Sequence, residues 1–260
     1  MILKTRLLYI IFTALITLYL YRILNDHNSK IRELASVTTP TQITNASIQI
    51  TSLQPTLTIT KSPQPSQTTP PSSEPPARIT IEIPFTSQAP LAHWDTLHED
   101  ACEEASLIMV LHFLVGTKIE TKENVEDEIQ QMVSWETKNG YGLSISLLDL
   151  SKVAKQYGKN TFRIENAIKS NIINELADNK PVIVPVAGRE LNNPNFKQPG
   201  PIYHMLVIKG YDKNGFITND PGTRKGESYR YSFDTLLGAI HDYNKDDIDK
   251  GSKQYLVFDD

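Results

Sequence analysis

The stretch from Arg78 to Asp260 is predicted to fold as an α+β domain with an antiparallel sheet, on three observations. Apolar residues recur at helical spacing in its first half. Strand-like runs crowd into its second half. Two of those runs are joined by a tight turn signal at Asp212 to Gly215, as in a hairpin. Helices first and strands later favour helices packed on an antiparallel sheet over alternating βαβ units.

The elements follow in order. Ile79 to Ile83 (ITIEI) alternates like a strand. Ala101 to Val115 is apolar at helical spacing and stops at Gly116, a residue suited to a helix terminus. Thr121 to Glu136 and Ser144 to Tyr157 read as amphipathic helices, and Asn171 to Asp178 as a short one. Strand-like runs then cover Pro181 to Val186, Tyr203 to Tyr211, Gly215 to Asn219 and Gln254 to Phe258. Ser232 to His241 is expected to be a helix between the last two.

Upstream, the texture differs. Leu7 to Tyr21 is an uncharged apolar run flanked by Lys4, Arg6 and Arg22. With Ile2, Leu3, Ile23 and Leu24 it approaches the ~20 residues that a membrane span needs, its basic flanks snorkelling to headgroups. No small-x-small cleavage site follows, so residues 1–35 are expected to hold an uncleaved signal anchor rather than a cleaved signal peptide. Lys4 and Arg6 favour a cytoplasmic amino terminus and a domain outside the cytoplasm. Residues 36–77 are rich in Thr, Ser, Pro and Gln, with Lys61 and Glu74 the charged exceptions. Such a composition buries too little apolar surface to offset ordering entropy, and a disordered stalk is expected, extending at most roughly 130 Å at ~3.1 Å per residue.

Composition narrows the function. The net charge is -4 and no basic stripe is visible, so nucleic acid is not an expected partner. Cys102 is the single cysteine, so no intrachain disulfide can form. A lone cysteine is often just a small buried hydrophobe. Its surroundings argue for more. In HEDACEEASLIMVLHFL, Asp100 reads as an N-cap and Glu103 as its capping-box partner, which puts Cys102 at the second helical position. There the helix dipole favours a thiolate, and the backbone N–H is free to donate to an oxyanion. Glu103 and Glu104 add opposing negative charge, so an imidazolium partner is needed. With both carboxylates pointing into solvent, that imidazolium should win and hold the thiol below its free pKa of about 8.5.

Among six histidines, His204 stands out because it opens an apolar strand, YHMLVIKGY, after the Gly/Pro-rich KQPGP loop. His112 reads as a half-buried packing residue. A hairpin pairs the start of its first strand with the end of its second, which brings Asp220 or Asn219 beside His204. An acid or amide there could fix the imidazole tautomer. Asp220-Pro221-Gly222 could equally be a plain turn.

Four blocks in this order, IPFTSQAP, DACEEASLIMVLHFL, YHMLVIKGYD and GFITNDPGT, resemble the C39-like peptidase family of papain-like cysteine hydrolases. The resemblance covers most of Ile83 to Asp220 and implies a papain-like cysteine peptidase fold. It implies Gln88 as oxyanion donor, Cys102 as nucleophile, His204 as base and Asp220 as orienter. Gln88 stands farther ahead of Cys102 than in family peptidases, across the inserted AHWDTLHE. No ATPase motif or multi-span region accompanies the domain, so processing of double-glycine leaders is not carried over.

The expected function is a membrane-tethered thiol hydrolase acting on a peptide or protein through a Cys-His-Asp triad, with Cys102 and His204 within hydrogen-bond reach. The alternatives are an inactive C39-like binding module on a stalk, or an acyltransferase using the same residues. A metal site at His93, His98, Asp100 or Glu103 lacks a second ligand cluster, and neither metal nor cofactor is expected.

Overall fold

The computed structural model describes residues 74–259. The expected anchor, and the expected stalk up to residue 73, lie outside them. Among the described residues no helix is long and apolar enough to cross a membrane.

Seven antiparallel strands form one sheet: β1 (Ile79–Thr80), β2 (Phe162–Asn166), β3 (Val182–Ala187), β4 (Tyr203–Asp212), β5 (Gly215–Asn219), β6 (Tyr229–Tyr231) and β7 (Gln254–Phe258). The order is β2-β7-β3-β4-β5-β6. The short β1 pairs with the end of β4, Ile79 opposite Tyr211, in line beyond β3. The helices are α1 (Thr96–Glu99), α2 (Cys102–Val115), α3 (Lys122–Lys138), α4 (Leu147–Gln156), α5 (Lys169–Ala177) and α6 (Phe233–Ala239), with 3-10 turns at Gly188–Leu191 and Ile248–Lys250. The architecture is α+β with an antiparallel sheet, as the sequence pattern implies.

Every residue of β3, and all of β4 except Asp212, is buried, so the sheet centre is covered on both faces. Helix α2 supplies much of that cover: Cys102 to Leu111 are all buried, and it packs on β4, α3 and α4. A helix apolar on all sides belongs in a core rather than at a surface. Gly116 ends it in the left-handed conformation at φ 73°. Thr121, Ser146 and Ser232 cap α3, α4 and α6 by accepting backbone N–H bonds, which sets those helix starts within three residues of the expected ones.

Three elements were not anticipated. Strand β2 (FRIEN) is polar and half-buried at the sheet edge, so it lacks the apolar alternation that marks a strand. Strand β6 has three residues. Helix α1 is a single turn capped by Asp95. The expected strand Ile79 to Ile83 pairs over two residues only, with Ile81 N–H donating to Lys209 O just beyond, where β4 bulges between Ile208 and Gly210 against β5. At Gly210 a Cβ would sit 2.3 Å from Ile79 O, so glycine is what admits β1 to that edge. The Tyr211 hydroxyl donates to Pro76 O, tying the last residues assigned to the stalk onto the sheet.

Candidate active site

Helix α1 alters the start of α2. Asp100 closes α1 as its C-cap, so it is not the N-cap of α2. That position falls to Ala101, which makes no side-chain capping bond, and Cys102 is the first helical residue. Glu103 does not close a capping box either. Its Oε1 accepts from Ile145 N–H at 3.0 Å, and its Oε2 accepts the Cys102 thiol at 2.9 Å.

The expectation that Glu103 and Glu104 point into solvent is therefore corrected: both are buried. The segment around Ile145, leading into α4, closes over Glu103, while Glu104 faces Glu136 from α3. Burial pushes the Glu103 carboxyl up to about 8, with help from nearby Glu136. Burial, then the Glu103 and Glu136 charges, lifts Glu104 well above the carboxylate range. Burial raises Glu136 in turn.

The thiol is affected in the same direction. Desolvation, the Glu103 charge and the hydrogen bond to Glu103 raise the Cys102 pKa well above its ordinary value. The Met205 backbone N–H, which faces the sulfur from β4, opposes this only in part. The expected depression of the thiol pKa is thus reversed in this arrangement, because the sulfur is buried and its hydrogen-bond partner is a carboxyl rather than an imidazolium. Among the described residues no hydrogen bond joins Cys102 to His204.

His204 is the second residue of β4, opposite Val186 of β3. Its Nε2 lies 2.8 Å from Asp220 Oδ1, and both side chains are buried. The hairpin delivers Asp220 rather than Asn219. Asn219 turns its amide to Ile83 O and Pro84 O and accepts Ser228 N–H. Asp220 Oδ1 also accepts Gly222 N–H at 3.0 Å, while Oδ2 accepts Tyr231 OH at 2.5 Å and Asn193 Nδ2 at 3.3 Å. Burial alone would raise the Asp220 pKa, but the His204 charge, its hydrogen bond, Tyr231 and Gly222 together lower it. An ionised Asp220 requires Nε2 to carry the proton, which leaves Nδ1 as the acceptor.

Asn193 and Tyr231 were missed by sequence reasoning. Neither belongs to a recognisable motif, and they reach Asp220 from a loop and a three-residue strand. Phe196 meets the His204 ring edge-on at 5.3 Å. Gly222 lies against the same ring: a Cβ there would fall 2.9 Å from His204 Cε1.

Gln88 Nε2 donates to His98 O at 2.9 Å and Glu99 O at 3.1 Å, carbonyls belonging to the inserted segment. Both amide protons are thereby engaged, and the buried Oε1 has no partner. Reversing the amide would set oxygen against two carbonyls, so the hydrogen-bond network fixes its orientation. His98 is occupied on both ring nitrogens, by Asp95 and Glu126. Among the described residues no group of three or more His, Cys, Asp or Glu is arranged to hold a metal ion. His112 is half-buried, between Thr117 and Glu128.

A cleft of about 1280 Å³ opens beside the site, with Gln88, His204, Phe196 and Gly222 in its wall and Trp94 and Tyr243 among its aromatic lining. Cys102 is buried and does not line that cleft.

No curated protein matches the sequence. A crystal structure of a candidate C39-like peptidase from Bacillus anthracis is similar at 14% identity and a TM-score of 0.48, covering 70% of this chain and 98% of that one. The model of the Peptidase_C39 like family matches residues 80–246, well over half of the chain, and the chain belongs to that family of C39-like peptidases.

Proposed function

We propose that this chain is a thiol hydrolase that cleaves an amide bond in a peptide or protein, with Cys102 as nucleophile, His204 as base and Asp220 as orienter. The observation that carries the proposal is the buried His204–Asp220 couple at the rim of a large cleft. Its geometry leaves Nδ1 as the ring's free acceptor. Cys102 opens a helix packed on the strand that carries His204, and its neighbour Met205 turns a backbone N–H to the sulfur. Proton transfer from Sγ to Nδ1 creates the thiolate. Attack on the carbonyl gives a tetrahedral oxyanion, and the imidazolium returns the proton to the leaving amine. Water then releases the acyl group.

The Cys102 backbone N–H, at the first helical position, is one oxyanion donor. Gln88 takes the second role once its Nε2 releases Glu99 O or His98 O. An acyltransferase would use the same groups with a different acceptor in the second step. We place the domain outside the cytoplasm, held to a membrane by the apolar run at Leu7 to Tyr21 through the Pro/Thr-rich stalk.

A second reading, an inactive module that keeps the fold, is favoured by one observation: the thiol rests on Glu103. Labelling of Cys102 by an epoxide inhibitor of cysteine peptidases separates the two. Stoichiometric labelling that is lost in His204→Ala supports the hydrolase, and labelling indifferent to His204 overturns it.

A further inference from the structure

The proposed mechanism makes no use of Glu103, yet Glu103 makes the thiol's hydrogen bond. Its carboxyl is fully buried. Oε2 holds the Cys102 S–H at 2.9 Å. Oε1 is pinned by Ile145 N–H at 3.0 Å, so the carboxyl cannot swing away without leaving a buried donor unpaired. Ile145 is itself anchored: its carbonyl accepts the Tyr203 hydroxyl at 3.0 Å, and Tyr203 opens the strand that carries His204. The two candidate residues are thus tied to one another through Glu103, Ile145 and Tyr203 rather than by a direct bond.

We propose that Glu103 is a positioning residue that holds the Cys102 thiol protonated at rest, and that attack begins when the S–H turns from Glu103 Oε2 to His204 Nδ1. The inference rests on the reading of Cys102 as nucleophile. In the activating step the S–H bond breaks and an Nδ1–H bond forms, giving a thiolate and an imidazolium. Glu103 keeps its own proton count unchanged, and Met205 N–H remains to stabilise the thiolate.

The groups facing this contact are Glu104 on α2, Glu136 on α3, and Tyr203 and the Met205 N–H on β4. None of these is a cation that would draw the proton off sulfur. Glu103 sheds its proton near pH 8, and the thiol, now facing a carboxylate, then becomes harder to ionise. Reactivity at rest is therefore low by construction, and it rises only when the side chain rotates toward His204.

The test exploits the single cysteine of the full chain, since both alkylation and the S–H infrared stretch report on Cys102 alone. Alkylation by iodoacetamide is followed against pH for wild type, Glu103→Gln and His204→Ala. The amide in Glu103→Gln cannot become a carboxylate, and it can donate an N–H to a thiolate. The alkylation curve of that variant is expected to move about one pH unit lower, which is about tenfold faster reaction above about pH 8, where Glu103 is ionised in wild type. Its S–H band should also move away from the wild-type position. An unchanged curve together with an unchanged band in Glu103→Gln overturns the positioning role.

His204→Ala reports on the other assumption. If it alkylates like wild type while Glu103→Gln does not, the hydrolase reading fails and the Glu103 contact stands. Should Glu103→Gln fail to fold, the wild-type band decides. A hydrogen-bonded S–H frequency persisting into mildly alkaline solution supports the contact, and a free-thiol frequency overturns it.

Discussion

Substituting Glu103 by Gln should reshape the pH dependence of stability. The Glu103 carboxyl is lifted from 4.5 to about 8, chiefly by burial. At 1.36 kcal/mol per pH unit this lift corresponds to roughly 5 kcal/mol. Entry of water once the group ionises makes that figure a ceiling. The sign follows from a folded pKa raised above the unfolded one. The contribution is fully present below the unfolded value of about 4.3, and it is lost as pH rises through about 8. Glu104 and Glu136 are shifted in the same direction and steepen the loss. Glu103→Gln stays neutral throughout, and its amide oxygen can still accept Ile145 N–H. Urea unfolding of both proteins between about pH 5 and pH 9 measures the effect. Wild type should lose stability across that range by up to several kcal/mol, and the variant should lose markedly less. Parallel curves, or a wild type that gains stability toward pH 9, would refute the argument that these carboxyls are buried and neutral.

Two further outcomes concern the histidine. Tyr231→Phe removes the hydroxyl that Asp220 Oδ2 accepts at 2.5 Å, and should lower stability by ~1–3 kcal/mol, as lost hydrogen bonds to charged groups do. With His204 less firmly oriented, epoxide labelling of Cys102 should also slow, as label incorporation followed by mass spectrometry would show. Gly222→Ala places a methyl 2.9 Å from both His204 Cε1 and Phe196 Cε1, so the ring must shift. That variant should keep a wild-type circular dichroism spectrum while labelling of Cys102 falls at least about tenfold, the order expected when a catalytic group is misplaced by about 1 Å.

Much of this was legible where local pattern and tertiary demand agree. Strands β4, β5 and β7 are apolar runs bounded by turn residues, and their positions follow from that alone. The turn at Asp212 to Gly215 starts the hairpin register, and the bulge between Ile208 and Gly210, which the sequence did not announce, shifts it by one residue so that Asp220 comes beside His204. The orientation of Glu103 was not legible. Whether a carboxylate at a helix start faces water depends on what closes over it, and here that is Ile145, forty-two residues away in sequence. The one-turn helix α1 was equally hidden, and it took Asp100 for its own end. Strand β2 carries Arg163, which pairs with Glu165, Glu175 and Asp259. It is a strand held by ion pairs at a sheet edge, without the apolar alternation that marks a strand in sequence.

The four hydrogen bonds on Asp220 have a consequence for how the site meets its substrate. Two donors fill each carboxylate oxygen, so rotating the group by even a fraction of a turn breaks several bonds in a dry setting. The imidazole held by that carboxylate has its orientational entropy removed when the chain folds. A molecule arriving in the cleft therefore does not have to order it. What remains to move in the proposed machinery is the Gln88 amide, which must release a carbonyl, and χ1 of Cys102, which exchanges between staggered wells. A barrier of that kind is crossed on the nanosecond scale of ordinary rotamer exchange, or more slowly if the core must yield. The resting and armed forms of this site would then differ by the settings of two side chains.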